Sequence, residues 1–305
     1  MRLGLDIGGT KTAALVLDDA DRVVAQRRTV SGRGAAEVVD VAATLARETA
    51  AAVGGLERIT GVGVCMPGLV DPEHGTVRHA VNLGVETVDL RGDLSERLHR
   101  PVVVENDVKA AALGTHRYVG APRDLVLAYL NLGTGLAAAV VRDGSVIRGV
   151  HGVAGEIGHL PVGGAVRCQC GQQGCLETIA SGAALNRMWG RPSDTTDDPF
   201  RAADAGDPHA ARAASALCAG VGLAIELLVL ANGAERVVIG GGLTSLGAAL
   251  RDGITADLAR RAAESPFVGS LSLPERFTLL PEGVPVAALG AALLSAPQID
   301  VAWTS

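Results

Sequence analysis

A strand, a glycine-rich turn and a second strand occur twice in this chain, and this repeat limits its fold more than any other feature. The first copy joins apolar residues 3–6 through IGGTKT to the run AALVLDD. The second copy, LVLAYLNLGTGLAAAVV, follows a predicted hinge at residues 120–123. A third strand follows in each copy, RVVAQRRTV in the first and the run after Asp143-Gly144 in the second. The repeat predicts two α/β halves related by internal duplication.

Strands and helices alternate along the rest of the chain. Residues 35–53 carry apolar side chains at helical spacing, and ITGVGVCM is typical of a buried strand. PVVVEND and RVVIG are further strands, and residues 208–231 form one long apolar helix. A chain of 305 residues can bury two cores, so we predict a small N-terminal α/β domain over 1–120 and a larger one over 121–285.

The composition excludes several classes of protein. Aromatic residues make up 2% of the chain, so Val, Leu, Ile and Ala must fill the cores, and Cys65 and Cys218 in apolar runs are expected to join them. The formal net charge of -6, without a stripe of Lys and Arg, argues against a nucleic-acid surface. Apolar runs of about 18 residues are interrupted by polar side chains, and a strand begins almost at Met1. We therefore expect a cytoplasmic protein without membrane contact.

Cysteines cluster in one glycine-rich loop. Cys168, Cys170 and Cys175 form a C-x-C-x4-C pattern whose interleaved glycines let a short loop fold back on itself. With His159 as a fourth ligand the set becomes Cys3His, a closed tetrahedral zinc site of the structural type. The alternative is three ordinary buried thiols. A disulfide is less expected in a chain without a secretory signature.

The first glycine turn suits phosphate binding. It matches neither the G-x4-GK[ST] pattern of a P-loop nor the G-x-G-x-x-G dinucleotide pattern. The backbone amides of Gly8, Gly9 and Thr10 can still cradle a phosphate with Lys11 alongside, and Asp6 can hold Mg²⁺ through water. The alternative is a tight hairpin that needs glycine for its own geometry.

The strand PVVVEND has its polar residues at its carboxyl end. Ligands of open parallel sheets bind beyond these ends, so Asp107 is placed to accept the proton of a substrate hydroxyl. The local alternative is that Asp107 only caps a helix beginning at Val108, because Asp is a favoured N-cap residue.

The segment around the cysteines resembles a known family. GEIGH, followed by CQCGQQGCLE and then ASG, is similar to the signature of the ROK family of bacterial sugar kinases and sugar-responsive repressors. The resemblance covers essentially the whole chain and implies the two-domain, actin-like and ribonuclease-H-like ATPase fold. It also implies that a C-terminal helix over about 286–296 returns to the first domain, and that the larger domain carries a dimer surface.

The resemblance implies roles for individual residues. E-N-D is the family's catalytic motif, which makes Asp107 the general base and leaves Glu105 to support the loop. The residues implied to bind the sugar are Asn82, Asn106, Asp107, Glu156, His159 and Glu177, of which His159 also binds zinc. The residues implied to bind the nucleotide are Asp6, Gly8, Gly9, Thr10, Lys11, Gly133, Thr134, Gly135, Gly240, Gly241 and Gly242. The chain departs from the family pattern at Lys109, Ala137 and Ala138.

The function implied is that of an ATP-dependent sugar kinase. It would phosphorylate the 6-hydroxyl of a glucose-configured hexose or N-acetylhexosamine with ATP and Mg²⁺, and would form a homodimer with a structural Zn²⁺ in each chain. Alternatives within the class are a strict glucokinase, an N-acetylmannosamine kinase and a fructokinase. Alternatives outside the kinase class are a catalytically dead sugar-binding protein and a ROK regulator without its DNA-binding domain. Regulators of the family carry that domain ahead of the first glycine turn, where residues 1–5 leave no room for it.

Two positions bear on the choice of sugar. Glucokinase-like members tend to carry tryptophan in N-L-x-W and again just before the second pocket glutamate, whereas this chain has Val85 and Leu176. Smaller side chains leave more room beside the sugar ring, enough for a 2-acetamido group. We therefore expect N-acetylglucosamine to be accepted at least as well as glucose.

Overall fold

The computed structural model of the protein describes residues 1–192 and 197–295. The chain divides into two compact units, each with its own hydrophobic core. Of the described residues, unit 1 contains 1–120 and 285–295, and unit 2 contains those within 121–284. The polar, Pro-containing stretch RPSDTTDDPF predicts a surface loop. Its residues 193–196, and residue 296 of the predicted C-terminal helix, lie outside the described residues.

Strands and helices alternate in both units. The strands are β1 (Arg2–Ile7), β2 (Lys11–Leu17), β3 (Val23–Val30), β4 (Gly61–Met66), β5 (Leu69–Asp71), β6 (Thr76–Ala80), β7 (Val85–Asp89), β8 (Val102–Asn106), β9 (Leu127–Leu132), β10 (Leu136–Arg142), β11 (Ser145–Val146), β12 (Arg236–Gly240) and β13 (Phe277–Leu279). The helices are α1 (Ala35–Ala51), α2 (Leu90–Leu98), α3 (Asp107–Tyr118), α4 (Gly182–Trp189), α5 (Pro199–Asp204), α6 (Pro208–Asn232), α7 (Gly247–Glu264), α8 (Pro266–Ser270) and α9 (Val286–Leu294).

The two main sheets share one plan. In unit 1 the strand order is β3-β2-β1-β4-β8, and in unit 2 it is β11-β10-β9-β12-β13. In each sheet the first strand in sequence pairs antiparallel with the strand after the glycine turn, and parallel with a later strand on its other side. The shared order is what the predicted internal duplication requires, and it places one glycine turn at the carboxyl end of β1 and the other at the carboxyl end of β9.

Helix α9 packs in unit 1 through very small residues. Its sequence, VAALGAALL, lies against β1, β4 and α3. A Cβ built on Gly290 would lie 1.7 Å from the carbonyl oxygen of Ala110, and one on Gly114 would lie 1.9 Å from that of Val286. The backbones of α3 and α9 therefore touch, and only glycine fits at these two positions. This contact fixes α3, and with it the residues at its N-terminus.

Helix α6 is the central helix of unit 2. Its length and apolar composition alone would also suit a membrane span, but more than half of its apolar stretch is buried. Leu217, Val221 and Ile225 lie one helical turn apart and join the core against the sheet. The helix is thus a core helix of unit 2.

A small antiparallel sheet, β5-β6-β7, was not expected from the sequence. The sequence predicts a polar turn at LVDPEHG and no particular element for the segment HAVNLG that follows. The three strands contain three to five residues each, which is too short to give a clear alternation of apolar and polar side chains. Their pairing is therefore fixed by tertiary contacts, with Val77 and Val88 in the core of unit 1.

Candidate active site and metal centre

Acidic side chains lie in a row at the carboxyl ends of the parallel strands of unit 1. Asp6 of β1 pairs with Cys65 of β4, and Cys65 pairs with Glu105 of β8. Asp107 follows as the first residue of α3. Neighbouring strands are about 4.8 Å apart, so the row brings Asp6 and the E-N-D triplet close together. The charge of Asp107 is near enough to act on the carboxyl group of Asp6.

The electrostatics of this row suit a divalent cation. Burial raises the pKa of Asp6 to about 7, and the charge of Asp107 adds to the increase, whereas a hydrogen bond from the Cys65 thiol opposes it. Cys65 Sγ lies 3.7 Å from Asp6 Oδ1, and burial holds the pKa of this thiol well above its ordinary value, so the thiol stays protonated. Two neighbouring carboxylates repel each other, and Mg²⁺ prefers such oxygen ligands, so the donor set fits Mg²⁺.

Helix α3 is capped by Asn106 and not by Asp107. Asn106 Oδ1 accepts hydrogen bonds from the backbone N–H groups of Val108 at 3.0 Å and Lys109 at 3.2 Å. The helix begins at Asp107 and not at Val108, so Asn106 and not Asp107 is the N-cap residue, and Asp107 Oδ1 shares the N–H of Val108 at 3.0 Å. Asn106 Oδ1 is committed to the cap, and its Nδ2 group remains the donor that this side chain offers to a ligand.

The neighbours of Asp107 are buried. Glu105 is 2% exposed, and its Oε1 accepts a hydrogen bond from the N–H of Asn106 at 2.9 Å. This contact supports the loop, as the sequence predicts for Glu105. Lys109, at the position where the chain departs from the family pattern, is also 2% exposed.

One backbone amide of the first glycine turn is used in a hydrogen bond within the turn. The N–H of Gly8 donates to the carbonyl oxygen of Lys11 at 3.0 Å, so the predicted cradle of three amides is reduced to those of Gly9 and Thr10. A Cβ built on Gly9 would lie 3.0 Å from Cβ of Asn82, which places this predicted sugar ligand beside the turn. The structure thus brings Asn82 of the predicted sugar site next to Gly9 of the predicted nucleotide site.

Ser31 holds the first turn, and the sequence analysis missed it. Its Oγ donates to the carbonyl oxygen of Gly8 at 2.6 Å and lies 2.9 Å from Thr12 Oγ1. Its N–H donates to the carbonyl oxygen of Thr10 at 3.1 Å. The register of β2 against β3 pairs Lys11 with Val30, so the residue after β3 necessarily lies beside the turn. This register was the signal that could have identified Ser31.

The second glycine turn also has an internal hydrogen bond, over a shorter span, and it has a different support. The N–H of Gly133 donates to the carbonyl oxygen of Gly135 at 3.1 Å, so the amides of Thr134 and Gly135 are the ones this bond does not use. At the N-terminus of α4, the N–H of Gly182 donates to the carbonyl oxygen of Gly133 at 2.8 Å, and that of Ala183 to Thr134 at 3.2 Å. The start of α4 therefore holds two of the three carbonyl groups of the turn, those of Gly133 and Thr134.

The third glycine segment lies against the same strand end. Gly240 ends β12 and pairs with Asn131 of β9. A Cβ built on Gly241 would lie 2.5 Å from the carbonyl oxygen of Leu132 and 2.9 Å from Asn131 Oδ1. Gly242 then opens a short 3-10 helix. The structure thus brings Gly240, Gly241 and Gly242 beside the second turn, as their predicted shared use requires.

The cysteine cluster forms one compact set. The ligand atoms of His159, Cys168, Cys170 and Cys175 all lie within 4.8 Å of one another. His159 Nδ1 is 3.6 Å from Cys168 Sγ, and Cys170 Sγ is 3.7 Å from Cys175 Sγ. Tetrahedral zinc with bonds of about 2.1–2.3 Å keeps its ligands about 3.5–3.8 Å apart, so the set fits zinc. Because Nδ1 faces the thiols, Nε2 is the nitrogen that His159 can offer to another partner.

Gln172 supports the cluster and was also missed. Hydrogen bonds from its backbone and side chain lower the pKa of Cys170 to about 6, whereas burial raises the pKa of Cys175 to about 12. Its Nε2 also donates to the carbonyl oxygen of His159 at 3.2 Å. Cys170 is therefore the thiol that most readily becomes the thiolate that a metal requires.

The segment carrying Glu156 and His159 is attached to β10. The N–H of Ala138 donates to the carbonyl oxygen of Gly155 at 2.8 Å. A Cβ built on Gly158 would lie 2.1 Å from the carbonyl oxygen of Leu136, so this glycine is required by close packing. Glu156 itself is exposed, and His159 is half-buried.

The two positions that differ from glucokinase-like members lie in the cores. Val85 is 3% exposed in the core of unit 1, and Leu176 is fully buried in the core of unit 2. Their side chains pack against core neighbours, so they do not open space beside a sugar. Their burial therefore removes the reason to expect extra room beside the sugar ring for the acetamido group of N-acetylglucosamine.

A sequence profile of the ROK family matches residues 2–296. The chain belongs to the ROK family. A glucokinase of Halalkalibacterium halodurans is 32% identical to this ROK protein over 271 residues, which cover 80% of this chain and 81% of the relative.

Solved structures of ROK proteins share its fold. A ROK hexokinase from Thermus thermophilus gives a TM-score of 0.80 at 32% identity, covering 96% of this chain and 97% of the other. A ROK family glucokinase from Streptomyces griseus, in complex with glucose and AMPPNP, gives a TM-score of 0.75 at 29% identity, covering 96% and 98%. ROK sugar kinases have the actin-like ATPase fold, so the predicted fold class is confirmed.

Proposed function

We propose that this ROK protein transfers the γ-phosphoryl group of ATP to the 6-hydroxyl of a glucose-configured hexose. The chain is a sugar phosphotransferase, in keeping with its glucokinase relative and ROK hexokinase neighbour. One observation carries the assignment of chemistry. Asp107 follows the carboxyl end of a parallel strand, where its charge acts on Asp6, and the N-cap of α3 is Asn106 and not Asp107.

Asp107 acts as the general base in this proposal. Its carboxylate accepts the proton of the attacking sugar hydroxyl as the hydroxyl oxygen approaches phosphorus. Helix α3 fixes the carboxylate in place, and close packing against α9 fixes the helix. Catalysis then consists mainly of positioning and charge neutralisation, because phosphoryl transfer demands little covalent chemistry from the protein.

The nucleotide is proposed to bind through the glycine segments. The residues are Asp6, Gly8, Gly9, Thr10, Lys11, Gly133, Thr134, Gly135, Gly240, Gly241 and Gly242. Backbone amides that are not used in hydrogen bonds within the turns donate to phosphate oxygens, and the small residues allow the nucleotide to approach the backbone closely. Mg²⁺, when bound, neutralises phosphate charge, and Asp6 is the carboxylate proposed to hold it through water.

The sugar is proposed to bind through amides, carboxylates and one imidazole. The residues are Asn82, Asn106, Asp107, Glu156, His159 and Glu177. His159 serves two partners in this proposal: Nδ1 faces the thiols 3.6 Å from Cys168 Sγ, and Nε2 donates to a sugar hydroxyl. Zinc in the closed Cys3His set is proposed to be structural, since four protein ligands leave no position for a reacting water.

Glucose is the proposed sugar. The 32% identical relative is a glucokinase, and the burial of Val85 and Leu176 removes the reason to expect extra room for an acetamido group. Equal or better use of N-acetylglucosamine stays the competing prediction. We also propose a homodimer by family analogy, which light scattering at working concentration tests directly.

The test is kcat/KM for glucose, N-acetylglucosamine, N-acetylmannosamine, mannose and fructose, measured side by side with ATP and Mg²⁺. We expect glucose to exceed N-acetylglucosamine by about tenfold or more, equivalent to about 1.4 kcal/mol in transition-state binding. Equal or higher values for N-acetylglucosamine would contradict the choice of glucose. Sugar binding without turnover on any sugar would contradict the kinase assignment and favour a sensor.

A further inference from the structure

Glu177 makes contacts that sugar binding does not require. Its Oε2 accepts a hydrogen bond from the N–H of Leu136 at 2.9 Å, and its Oε1 lies 4.0 Å from Cys168 Sγ. Leu136 is the first residue after the second glycine turn and begins β10. A Cβ built on Gly135 would lie 2.5 Å from Glu177 Oε2, so the turn itself lies against the carboxylate. One side chain therefore contacts the turn, the strand that leaves it and the cysteine cluster.

The backbone around Glu177 links the same two places. Cys175, a member of the cluster, directly precedes the short 3-10 helix Leu176–Thr178 that carries Glu177. Ser181 then caps α4, whose first amides bind the carbonyl groups of the turn at 2.8 and 3.2 Å. The segment 175–183 thus begins at a cluster thiol and ends on the turn. The side chain of Glu177 and the backbone at the start of α4 both hold the turn.

We infer that Glu177 is a positioning residue that joins the metal cluster to the second glycine turn, so that nucleotide affinity depends on it even without sugar. The inference rests on the proposed function, in which this turn binds nucleotide phosphates. A turn already held in its binding conformation loses less conformational freedom when the nucleotide binds. Zinc in the cluster fixes one end of the segment and thereby supports the nucleotide site of unit 2.

The experiment is calorimetric titration of the zinc-loaded protein with Mg-AMPPNP in the absence of sugar. Glu177→Ala is expected to raise Kd by about tenfold or more, because the Leu136 amide loses its acceptor. Glu177→Gln keeps an oxygen that accepts from Leu136 and is expected to raise Kd less than about threefold. The matched control is Glu235→Ala, since Glu235 Oε1 accepts from the backbone N–H of Val126 at 3.0 Å, just before the other end of β9. Its Kd is expected to stay unchanged.

Hydrogen exchange supplies a second readout. Peptides covering 133–138 are expected to exchange faster in Glu177→Ala than in wild type or Glu235→Ala, and faster in wild type once a chelator has removed zinc. If Glu177→Ala does not fold, Glu177→Met keeps the side-chain length without the acceptor and provides the same test. Unchanged Kd and unchanged exchange on loss of the acceptor would overturn the inference.

Failure of the inference and failure of the proposed function give different results. If wild type phosphorylates sugar and Glu177→Ala binds Mg-AMPPNP as wild type does, only the positioning role is wrong. If wild type binds no Mg-AMPPNP and transfers no phosphoryl group, the proposed function is wrong and the inference falls with it. If Glu177→Ala weakens only sugar binding and leaves the nucleotide Kd unchanged, Glu177 is a sugar ligand without a positioning role.

Discussion

The two glycine turns occupy the same place in the two units but are held by different means. In unit 1 the turn is held by Ser31, whose Oγ donates to the carbonyl oxygen of Gly8 at 2.6 Å and whose N–H donates to that of Thr10 at 3.1 Å. In unit 2 the turn is held by a carboxylate and a helix N-terminus, with Glu177 accepting from Leu136 at 2.9 Å. The first support comes from the third strand of the same sheet. The second comes from the segment that also carries the cysteine cluster.

The surroundings of the turns differ in the same sense. Beside the first turn lie Asp6 and Asp107, two coupled carboxylates at neighbouring strand ends. Beside the second turn the carboxylate of Glu177 is already bonded to the backbone. Unit 1 thus has acidic groups beside its turn, whereas in unit 2 the segment of the cysteine cluster holds the turn.

Asp107→Asn is expected to have the largest effect, because it tests whether the chemistry lies beside the first turn. The amide cannot accept a proton, so kcat should fall by about 10²- to 10⁴-fold. The N-cap bonds of Asn106 are untouched, so the fold should be retained, and calorimetry should still detect sugar binding. Turnover near the wild-type rate would show that the carboxylate is not the base.

Cys170→Ser tests the metal loop beside the second turn. Loss of one thiolate from the Cys3His set should release zinc and lower the melting temperature by about 5–10 °C. Metal analysis should return one zinc per wild-type chain and a small fraction of that in the variant. The control is Cys218→Ala, a cysteine of α6 outside the cluster, which should keep its zinc. A variant that lacks zinc yet keeps its stability would contradict a structural role.

Asp6→Asn tests the acidic surroundings of the first turn through pH. The folded-state pKa of Asp6, about 7, lies above its ordinary value of 3.8, so the folded state binds this proton more tightly than the unfolded state. Its contribution to stability is complete below about pH 4 and is lost as the pH rises through 7. Between pH 5 and pH 8, wild type should lose roughly 2 kcal/mol that Asp6→Asn retains, a figure set below the full effect of the pKa shift because part of the Asp6 side chain is exposed.

Urea unfolding at the two pH values, without added Mg²⁺, measures this difference. Asp124→Asn, a change at an exposed aspartate, is the control and should follow the wild-type pH dependence. Identical pH dependence in Asp6→Asn and wild type would contradict the raised pKa.

Ser31→Ala is expected to have the smallest effect. Losing the hydroxyl group removes its bond to Gly8 and should lower the free energy of unfolding by about 1 kcal/mol. It should also raise KM for ATP by about two- to fivefold, because the first turn becomes more mobile. Ser270→Ala is the matched control, since Ser270 Oγ donates to the carbonyl oxygen of Phe267 at the same distance, 2.6 Å, in an exposed part of α8. Equal effects on KM from both variants would show that Ser31 does not position the turn.

Much of the fold and of the candidate site could be predicted from the sequence, because strong local sequence patterns determine them. Both strand-turn-strand copies, the strand before E-N-D and the Cys3His set lie at sequence positions that directly predict their neighbours in space. The long apolar runs also predict α6 and the core strands. The glycine segment 240–242 lies beside the second turn because β12 pairs with β9, which follows from the parallel order of such sheets.

The supports of the turns could not be predicted, because they depend on register and on single hydrogen bonds. Ser31 follows a strand and has an ordinary sequence context, so only the pairing of β2 with β3 reveals its contact. Asn106 and Asp107 are both favoured caps, and the helix start decides between them. Val85 and Leu176 stand where the family often has tryptophan, and sequence alone does not say that both are buried in cores.

The central claim, that the chain transfers a phosphoryl group to a sugar, is tested most directly by ³¹P NMR of the wild-type protein with ATP, Mg²⁺ and glucose. We expect one new phosphomonoester signal, coupled to the protons on C6 of the sugar, that grows in step with ADP. ADP with inorganic phosphate alone, or bound glucose that is never phosphorylated, would contradict it.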